Sequence, residues 1–405
     1  MKKNIPIIVI VLILLLMLVG ISLKRNGNSA EISLDGNTSV SDSQTVIENA
    51  IFTKSDLFTN RDLEQEADTA GAVRYTLTDE EDIRITEEGV YIITGTAQNA
   101  TIYVEAPDDA KVQLVLNQVS ISNDDFPCIY VKSADKVFVT TASSENALIV
   151  SGQFVSDEST NTDGVIFSRS DIVLNGKGTL TISSTDNGVV GKDDVKITGG
   201  SYQITASSIA IRANDSTRIA DGTLTLKAGT DGLHAENSSD DSLGYIYIGG
   251  GKITVQANDD AVHGNSVVQI DDGEINLQAA EGIEATYVQI NGGTSLIEAT
   301  DDGINAGRKS NQYNPTIEMN GGSIKIEMKN GDTDGVDSNG DIIVNGGTIE
   351  VTGSSTFDYD GRAEFNGGTI IVNGTEVDTI PNQMMGGQRG RSGINPSDMQ
   401  KNRIK

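Results

Sequence analysis

Carboxylate side chains recur beside glycine at one fixed position in the second half of the sequence. Each copy has an acid, then Gly or Ala, an aliphatic residue and a polar residue, and the copies begin at Asp231, Asp260, Glu281, Asp302 and Asp334. If the copies stack, like charges about 5 Å apart repel by ~1 kcal/mol in water and by several-fold more in a partly dry groove. Such a row needs a counter-cation, and oxygen ligands at this density suit Ca²⁺, which accepts about six to eight of them. The candidate metal ligands are Asp231, Asp259, Asp260, Glu281, Glu284, Asp301, Asp302, Asn305, Asp334 and Asp337.

An alternative stays open for each acid taken singly, because Asp before Gly is a common turn pair and a turn-capping acid needs no metal. The whole cluster favours at least one calcium ion. The polar residue that closes each copy forms a second predicted row: Arg212, His234, His263, Glu284, Asn305 and Asp337. The two histidines are adjacent in that row, which predicts stacked imidazoles or hydrogen bonds to neighbouring carboxylates ahead of a transition-metal pair.

A repeat sets the positions of these residues. The small residue after the acid recurs at 164, 188, 210, 232, 261, 282, 303 and 335, a basic period of about 22 residues with insertions near 237–243 and 308–315. Each unit carries short alternating strands around a turn such as Gly292-Gly293. A unit this short cannot bury its apolar face alone, so stacked units must share one core. The repeat predicts an all-β fold, a parallel β-helix solenoid from about residue 90 to 374, with the insertions as loops on one face.

Charge and composition restrict the partners. The chain of 405 residues has 58 acidic and 29 basic side chains, a formal net charge of −29. A body this acidic repels phosphate backbones, so we expect no nucleic-acid binding. Cys128 is the single cysteine, which excludes a disulfide framework and a thiolate zinc site. We expect the protein to be a monomer.

The N-terminus predicts export. Lys2 and Lys3 precede an apolar run from Ile5 to Leu23, about 19 residues against the ~20 that a helix needs to cross a bilayer. We expect this segment to be a transmembrane anchor helix, with a cleaved signal helix as the alternative. The protein is then extracellular, membrane-anchored or secreted at the cell surface. The predicted organisation is an anchor or signal segment over 1–25, a polar spacer over 26–72, the solenoid domain over 73–374 and a flexible basic tail over 375–405.

Three linked stretches carry a family resemblance. Glu88 to Thr96 (EGVYIITGT) leads into Val112 to Val119 (VQLVLNQV), and Cys128 to Lys136 (CIYVKSADK) follows before the Asp-Gly units. Over residues 73–374 the chain resembles the bacterial, clostridial-type carbohydrate-binding β-helix family. The resemblance implies a right-handed, single-stranded parallel β-helix similar in shape to pectate lyases. It also implies bound calcium and binding of plant-wall polysaccharide, such as polygalacturonate or cellulose, without catalysis.

Aromatic side chains often stack on sugars, but the chain has no Trp and only 10 Tyr and 8 Phe. The candidate carbohydrate contacts are Tyr245, Tyr287, Tyr313 and Arg308. An acidic polysaccharide would be repelled by the acidic body unless cations bridge the two, which gives the acid row a purpose.

Two alternatives to a binding protein stay open. A β-helix lyase would use Arg or Lys as its base, and the candidates are Arg212, Arg308, Lys192 and Lys325. A hydrolase of the same shape would use clustered Asp residues as acid and base. The other alternative is a structural surface protein or adhesin. No carboxylate breaks the repeat as a catalytic group should, so no catalytic residue is predicted.

Overall fold

The computed structural model of the protein describes residues 50–158, 160–329 and 334–383. The predicted anchor helix and most of the predicted spacer lie outside these residues. Within them, no helix is long and apolar enough to cross a membrane. The helix that they contain, α1, is the single turn Lys54–Leu57, and the regular elements that follow it are β-strands.

Short strands follow one another along the chain from residue 73. The first group is β1 Val73–Thr76, β2 Ile83–Ile85, β3 Gly89–Gln98, β4 Ile102–Glu105, β5 Lys111–Asn123, β6 Ile129–Ser133, β7 Lys136–Thr141, β8 Glu145–Val150, β9 Gly164–Ser168, β10 Asp171–Gly176, β11 Thr179–Ser184 and β12 Asn187–Gly191. The middle group is β13 Asp194–Ile197, β14 Ser201–Ala206, β15 Ile211–Ala213, β16 Ser216–Ile219, β17 Thr223–Ala228, β18 Leu233–Ala235, β19 Tyr245–Gln256, β20 Asp260–Ala279, β21 Glu281–Ile290 and β22 Thr294–Ala299. The last group is β23 Ile304–Ala306, β24 Thr316–Met319, β25 Ser323–Met328, β26 Asp334–Ser338, β27 Asp341–Val344, β28 Thr348–Thr352, β29 Ser355–Tyr359, β30 Ala363–Phe365, β31 Thr369–Val372 and β32 Thr375–Val377.

The strands pair in three continuous parallel sheets. The first sheet runs β2, β4, β6, β9, β12, β15, β18, β20, β21, β23, β26 and β29. The second runs β1, β3, β5, β7, β10, β13, β16, β19, β20, β21, β24, β27 and β30. The third runs β3, β5, β8, β11, β14, β17, β19, β20, β22, β25, β28 and β31. Each strand pairs with its counterpart one coil further on, so the predicted parallel solenoid is confirmed, while the hand of the coil stays a prediction.

Alternation along each strand separates the core from the surface. In the first sheet, a row of aliphatic residues lies opposite its counterparts in successive coils with 0% exposed surface: Ile211, Leu233, Val262, Ile283, Ile304 and Val336. The residue after each of these lies on the outside, which places the polar row of the repeat on one face of the solenoid. Glycine is required at some of these corners for a steric reason. A Cβ on Gly282 would lie 2.3 Å from the carbonyl oxygen of Gly303.

Part of the predicted spacer is packed on the solenoid, and here the structure differs from the prediction. We call residues 51–65, which lie across the outer face of the second sheet, the N-terminal strap. The Phe52 ring stacks on Tyr245 with centroids 4.4 Å apart. The Gln269 side chain exchanges hydrogen bonds with the backbone N–H and C=O of Phe52, at 2.8 Å and 2.9 Å. The physical reason is that apolar residues scattered through this polar segment match an aromatic strip on the sheet.

The N-terminal strap also carries a buried carboxylate. Asp62 has 0% exposed surface, accepts a hydrogen bond from Lys136 Nζ at 3.0 Å, and has Lys196 Nζ 3.8 Å away. Burial alone would raise the pKa of Asp62, but the hydrogen bond from the Thr59 amide and the two ammonium groups hold the pKa below its usual value. Asp62 is therefore ionised, and its charge fastens the strap to two strands of the second sheet.

The last described residues close the C-terminal end of the solenoid. The strand β32 turns back antiparallel against β31, Ile380 is buried, and the Gln383 amide donates to the Phe357 carbonyl at 2.9 Å. The first part of the predicted flexible tail is thus a cap, because the apolar end of a stacked core must be covered. Residues 384–405 of that tail lie outside the described residues.

The two insertions of the repeat form loops on the same face, as predicted. Both leave the solenoid at the corner between the first and second sheets. Ser310 Oγ donates to the Asp241 carbonyl oxygen at 2.6 Å, and Asn311 Nδ2 donates to the Asp241 carboxylate at 2.9 Å. The loops therefore support each other across the coils that separate them.

We expect Asp62→Ala to lower the free energy of unfolding by about 3 kcal/mol, because it leaves the Lys136 and Lys196 ammonium groups buried without this carboxylate. Denaturant unfolding followed by circular dichroism measures the change. Asp56→Ala removes an exposed acid of the same strap and is the matched control, expected within about 0.5 kcal/mol of wild type. A loss for Asp62→Ala no larger than that of the control would show that the fold does not depend on this ion pair.

Candidate functional site

The polar row predicted from the repeat is a continuous ladder on the outside of the first sheet. We call it the outer ladder, and its members face one another in successive coils: Arg212, His234, His263, Glu284, Asn305, Asp337 and Asp358. The acids that precede the corner residues lie alongside it. We call them the corner acids: Asp231, Asp260, Glu281, Asp302 and Asp334. The structure therefore brings most of the predicted metal ligands to one face.

Some corner acids cap the backbone of the next coil. Asp231 Oδ1 accepts a hydrogen bond from the Asp260 amide, and Asp302 Oδ1 accepts one from the Asp334 amide, both at 3.2 Å. Asp334 Oδ1 accepts a hydrogen bond from Ser355 Oγ. The capping role that the sequence left open is present at these positions.

The two histidines are stacked and hydrogen-bonded, as the sequence predicts. Their rings are nearly parallel, at 7°, with centroids 4.6 Å apart. His234 Nδ1 lies 2.7 Å from Asp231 Oδ2, and His263 Nδ1 lies 2.6 Å from Asp260 Oδ2. Each imidazole is thus held by the corner acid three residues before it, which fixes the ring against the sheet.

His263 joins two carboxylates and a lysine into one ion network. Its Nδ1 is also 2.8 Å from Glu284 Oε2, and Glu284 Oε1 accepts from Lys309 Nζ at 2.6 Å. Burial would lower the pKa of His263, but Asp260 and Glu284 raise it to about 10. Burial would raise the pKa of Glu284, but His263 and Lys309 lower it to about 2. Asp260, His263 and Glu284 are close enough to surround a metal ion, and with His263 protonated the same side chains pair with one another and with Lys309. This group is an ion network.

Sequence reasoning missed Lys309 in this network. Lys309 lies in the second insertion beside the predicted carbohydrate contact Arg308, and both residues have exposed surface. The signal that could have identified it is a pair of consecutive cations in a loop that leaves the repeat next to the acid row.

Beside the ion network, three carboxyl groups of this face have no cationic partner. Burial raises the pKa of Glu281 to about 8 and that of Asp302 to about 7, and neighbouring carboxylates add to both. Burial and the nearby carboxylates of Asp334 and Asp358 raise the pKa of Asp337 to about 6. Within residues 50–158, 160–329 and 334–383, no Lys, Arg or His forms an ion pair with Glu281, Asp302 or Asp337. We call these three residues the acid cluster.

The remaining predicted ligands differ in their position. Asn305 Nδ2 donates to Glu281 Oε2 at 3.0 Å, so this amide lies inside the acid cluster. Asp259 and Asp301 are exposed at the corners. Asp301 is near enough to Asp302 to contribute to its raised pKa.

The predicted aromatic contacts lie on the second sheet, apart from the outer ladder. Tyr245 is only 6% exposed because Phe52 of the N-terminal strap stacks on its ring, so the structure leaves little of this predicted sugar contact accessible. Tyr287 donates to Glu318 Oε2 at 2.8 Å and packs edge-on against Tyr313, with ring centroids 5.7 Å apart. These two rings are half-buried.

Aromatic side chains do occur on the first sheet, at the other end of the outer ladder. Tyr103, Tyr130 and Phe167 lie opposite one another in successive coils, and Phe126 covers the first two. A pocket of about 260 Å³ opens beside them, lined by Asp82, Asn99, Thr101, Tyr103, Asn123, Asp124, Asp125 and Phe126. Sequence reasoning missed this pocket, because the loop that carries Phe126 lies outside the repeat.

The chain is similar to known proteins of one described family. The chain matches the family described as "Carbohydrate-binding domain-containing protein" over residues 79–330 and 280–379. It is 33% identical over 131 residues to a protein of that description from Acetivibrio thermocellus, a match that covers 31% of this chain and 46% of the relative. The chain therefore spans less than half the length of that relative. A solved structure described as the polysaccharide lyase-like protein from C. thermocellum, gadolinium derivative, is similar with a TM-score of 0.47 and 28% identity, covering 55% of this chain and 92% of that one.

The ion network around His263 predicts a pH dependence of stability. The pKa of His263 is raised from 6.5 to about 10 in the folded protein, so its contribution is complete below the unfolded pKa and is lost as the pH rises through the folded pKa. We expect the free energy of unfolding to fall between neutral pH and about pH 10 in wild type, and to fall less in His263→Gln. Denaturant unfolding over a pH series measures both slopes.

The control for this pH series is His234→Gln. It removes the stacked ring and leaves the contacts of His263 with Asp260 and Glu284 in place, so the wild-type slope should remain. Equal slopes in wild type and His263→Gln would mean that His263 does not hold its proton in the fold.

Proposed function

The chain belongs to the carbohydrate-binding domain family, and on that premise we propose that it binds an acidic polysaccharide such as polygalacturonate through calcium, without cleaving it. The proposed place of action is the bacterial cell surface, where the protein is membrane-anchored or secreted and acts as a monomer. The proposed ligand lies along the outer ladder. Cellulose is the neutral alternative.

The observation that supports this proposal is the acid cluster. Its three carboxyl groups are half-buried, lie in three successive coils, and have their pKa values raised by burial and by neighbouring carboxylates. Ionising all of them at neutral pH costs free energy that a divalent cation would recover. The acid cluster is therefore the part of the face with the strongest need for an added positive charge.

The donor set of the acid cluster fits calcium. Glu281, Asp302 and Asp337 supply carboxylate oxygens, Asn305 supplies an amide, and hard oxygen ligands in flexible geometry are what Ca²⁺ prefers. The neighbouring ion network is the poorer match, because His263 and Lys309 already pair with Glu284. Calcium, when bound, supplies positive charge that both the protein and a polyanion can share.

The chain's own residues would orient the polysaccharide. The stacked histidines and the ion network form a rigid section next to the acid cluster, so the face does not have to order itself on binding. With an overall charge of −29, the protein repels a polyanion everywhere except where a cation intervenes. Polysaccharide binding and calcium binding are therefore expected to depend on each other.

The second function to be tested is that of a lyase, which would need an unpaired base close to the calcium. Lys309, which lies beside the acid cluster, is bonded to Glu284 at 2.6 Å. The predicted bases Arg212 and Lys192 lie four or more coils from Asn305 of that region. These positions favour binding without catalysis.

We expect purified protein to be retained on immobilised polygalacturonate in millimolar calcium and to be released by a chelator. The soluble polymer should show neither new reducing ends nor the ultraviolet absorbance of an unsaturated uronate. A calcium-dependent rise in that absorbance would show lyase activity and would contradict binding without cleavage. Retention on cellulose alone, unaffected by chelator, would contradict the proposed role of calcium.

Calcium should also stabilise the fold. A ligand that binds the folded state alone stabilises it by about 2.7 kcal/mol at a hundred times its Kd. We expect millimolar calcium to raise the unfolding temperature of wild type and to leave that of Asp302→Asn/Asp337→Asn nearly unchanged, measured by scanning calorimetry.

The charge-matched control is Asp221→Asn/Asp272→Asn, which removes two exposed acids from the turns between the second and third sheets. Its calcium response should equal that of wild type. An equal response in the acid-cluster variant would place the stabilising calcium somewhere else, and no response in wild type would mean that the acids only cap turns.

A further inference from the structure

Two cationic side chains lie where the outer ladder meets the aromatic side chains of the first sheet. Arg212 lies opposite His234 on one side and Val190 on the other. Lys192 follows the strand of Val190, and its Nζ is 5.4 Å from the centroid of the Phe167 ring. Arg212 is near enough to Lys192 to help lower its pKa, after the larger effect of burial. The two positive charges thus share one half-buried place on the face.

These cations are poorly paired within the protein. The shortest ion pair of Arg212 is with Asp163 Oδ2 at 3.9 Å, which is too long for a hydrogen bond. In the described part of the chain, Lys192 has no carboxylate within 4.0 Å. Guanidinium and ammonium groups in a half-buried site gain most from a bound carboxylate, so both groups are available to a ligand.

The carboxylate beside them has a missing partner as well. Asp163 is 6% exposed, and its Oδ2 accepts from Asn161 Nδ2 at 2.9 Å. Its Oδ1 is buried and accepts no hydrogen bond from any described residue. A buried acceptor without a donor is unfavourable, so this oxygen would gain from a donor such as a hydroxyl group.

The combination selects a particular ligand chemistry. Two cations alone would suit any anion, but the carboxylates of Asp163 and Asp186 lie beside them and disfavour the sulfate dianion, which offers no hydroxyl to Asp163. A uronic acid carries one carboxylate and several hydroxyl groups on the same ring. It can satisfy the cations and the free oxygen of Asp163 together.

We propose that Lys192, Arg212 and Asp163 form a subsite for one uronic acid residue, in which the two cations bind its carboxylate and Asp163 Oδ1 accepts a hydroxyl. This inference rests on the proposed function, since the same polysaccharide would continue along the ladder. From Arg212 to Asn305 the ladder rises four coils, about 19 Å. A chain of several sugars therefore reaches both the subsite and the acid cluster, and the subsite needs no calcium.

The test compares Lys192→Gln/Arg212→Gln with wild type for binding to polygalacturonate in millimolar calcium, by calorimetry. The control Lys227→Gln/Lys252→Gln removes two exposed cations from the third sheet and so the same charge from the protein. We expect the subsite variant to bind at least tenfold more weakly and the control to bind like wild type. The calcium-induced rise in unfolding temperature should be the same in all three proteins, which shows that the variants are folded and that the acid cluster is intact.

A competition experiment separates a uronate subsite from a general anion site. Free galacturonate should displace the polymer from wild type, whereas sodium sulfate at equal ionic strength should act no more strongly than sodium chloride. Equal displacement by sulfate and galacturonate would overturn the assignment. Unchanged affinity of the subsite variant, with wild type still binding, would overturn the subsite alone; failure of wild type to bind polygalacturonate would overturn the proposed function together with it.

Discussion

In-register stacking of parallel coils is the constraint on which the rest of this structure depends. It places each residue about 4.8 Å from its counterpart in the next coil. A residue type that recurs at one position of the repeat therefore forms a row along the solenoid. Inside the solenoid, rows of Ile, Leu and Val give one continuous core. Outside, the same rule brings like charges together, and a protein with a net charge of −29 has to neutralise them one coil at a time.

The outer ladder shows two ways of meeting this demand. At His263 and its counterpart Glu284 in the next coil, the protein supplies its own cations. The protonated imidazole of His263 and the ammonium group of Lys309 neutralise Glu284. In the coils of the acid cluster, no side chain of the described residues does so, and the charge is left for a cation from solution. At the end of the outer ladder that adjoins the aromatic side chains, Arg212 and Lys192 carry positive charge that lacks a close carboxylate partner. The acidic sugar polymer that we propose as ligand would, together with calcium, neutralise both ends of this face.

The repeat could be read from the sequence because its rules are local. Glycine at the corner, alternation in the strand and a period of about 22 residues predicted the parallel solenoid, the outer ladder and the stacking of His234 on His263. Contacts made by residues outside the repeat could not be predicted in the same way. Tyr245 looked available for sugar because its cover, Phe52, lies 193 residues earlier in the chain. Lys309 and the pocket beside Tyr103 depend on loops whose direction no periodicity determines, and the raised pKa of Asp302 depends on burial that only the folded protein has.

We propose that calcium and an acidic polysaccharide bind the same face and that each increases the affinity of the protein for the other. The most direct measurement is a calorimetric titration of calcium into the protein with and without a short oligogalacturonate, with calcium uptake by the free oligomer subtracted. Coupling between bound ligands is reciprocal and typically amounts to about 5- to 150-fold in affinity. We predict that the oligomer tightens calcium binding by at least about fivefold, and that Asp302→Asn/Asp337→Asn abolishes the effect. Equal calcium affinity with and without the oligomer would contradict the claim.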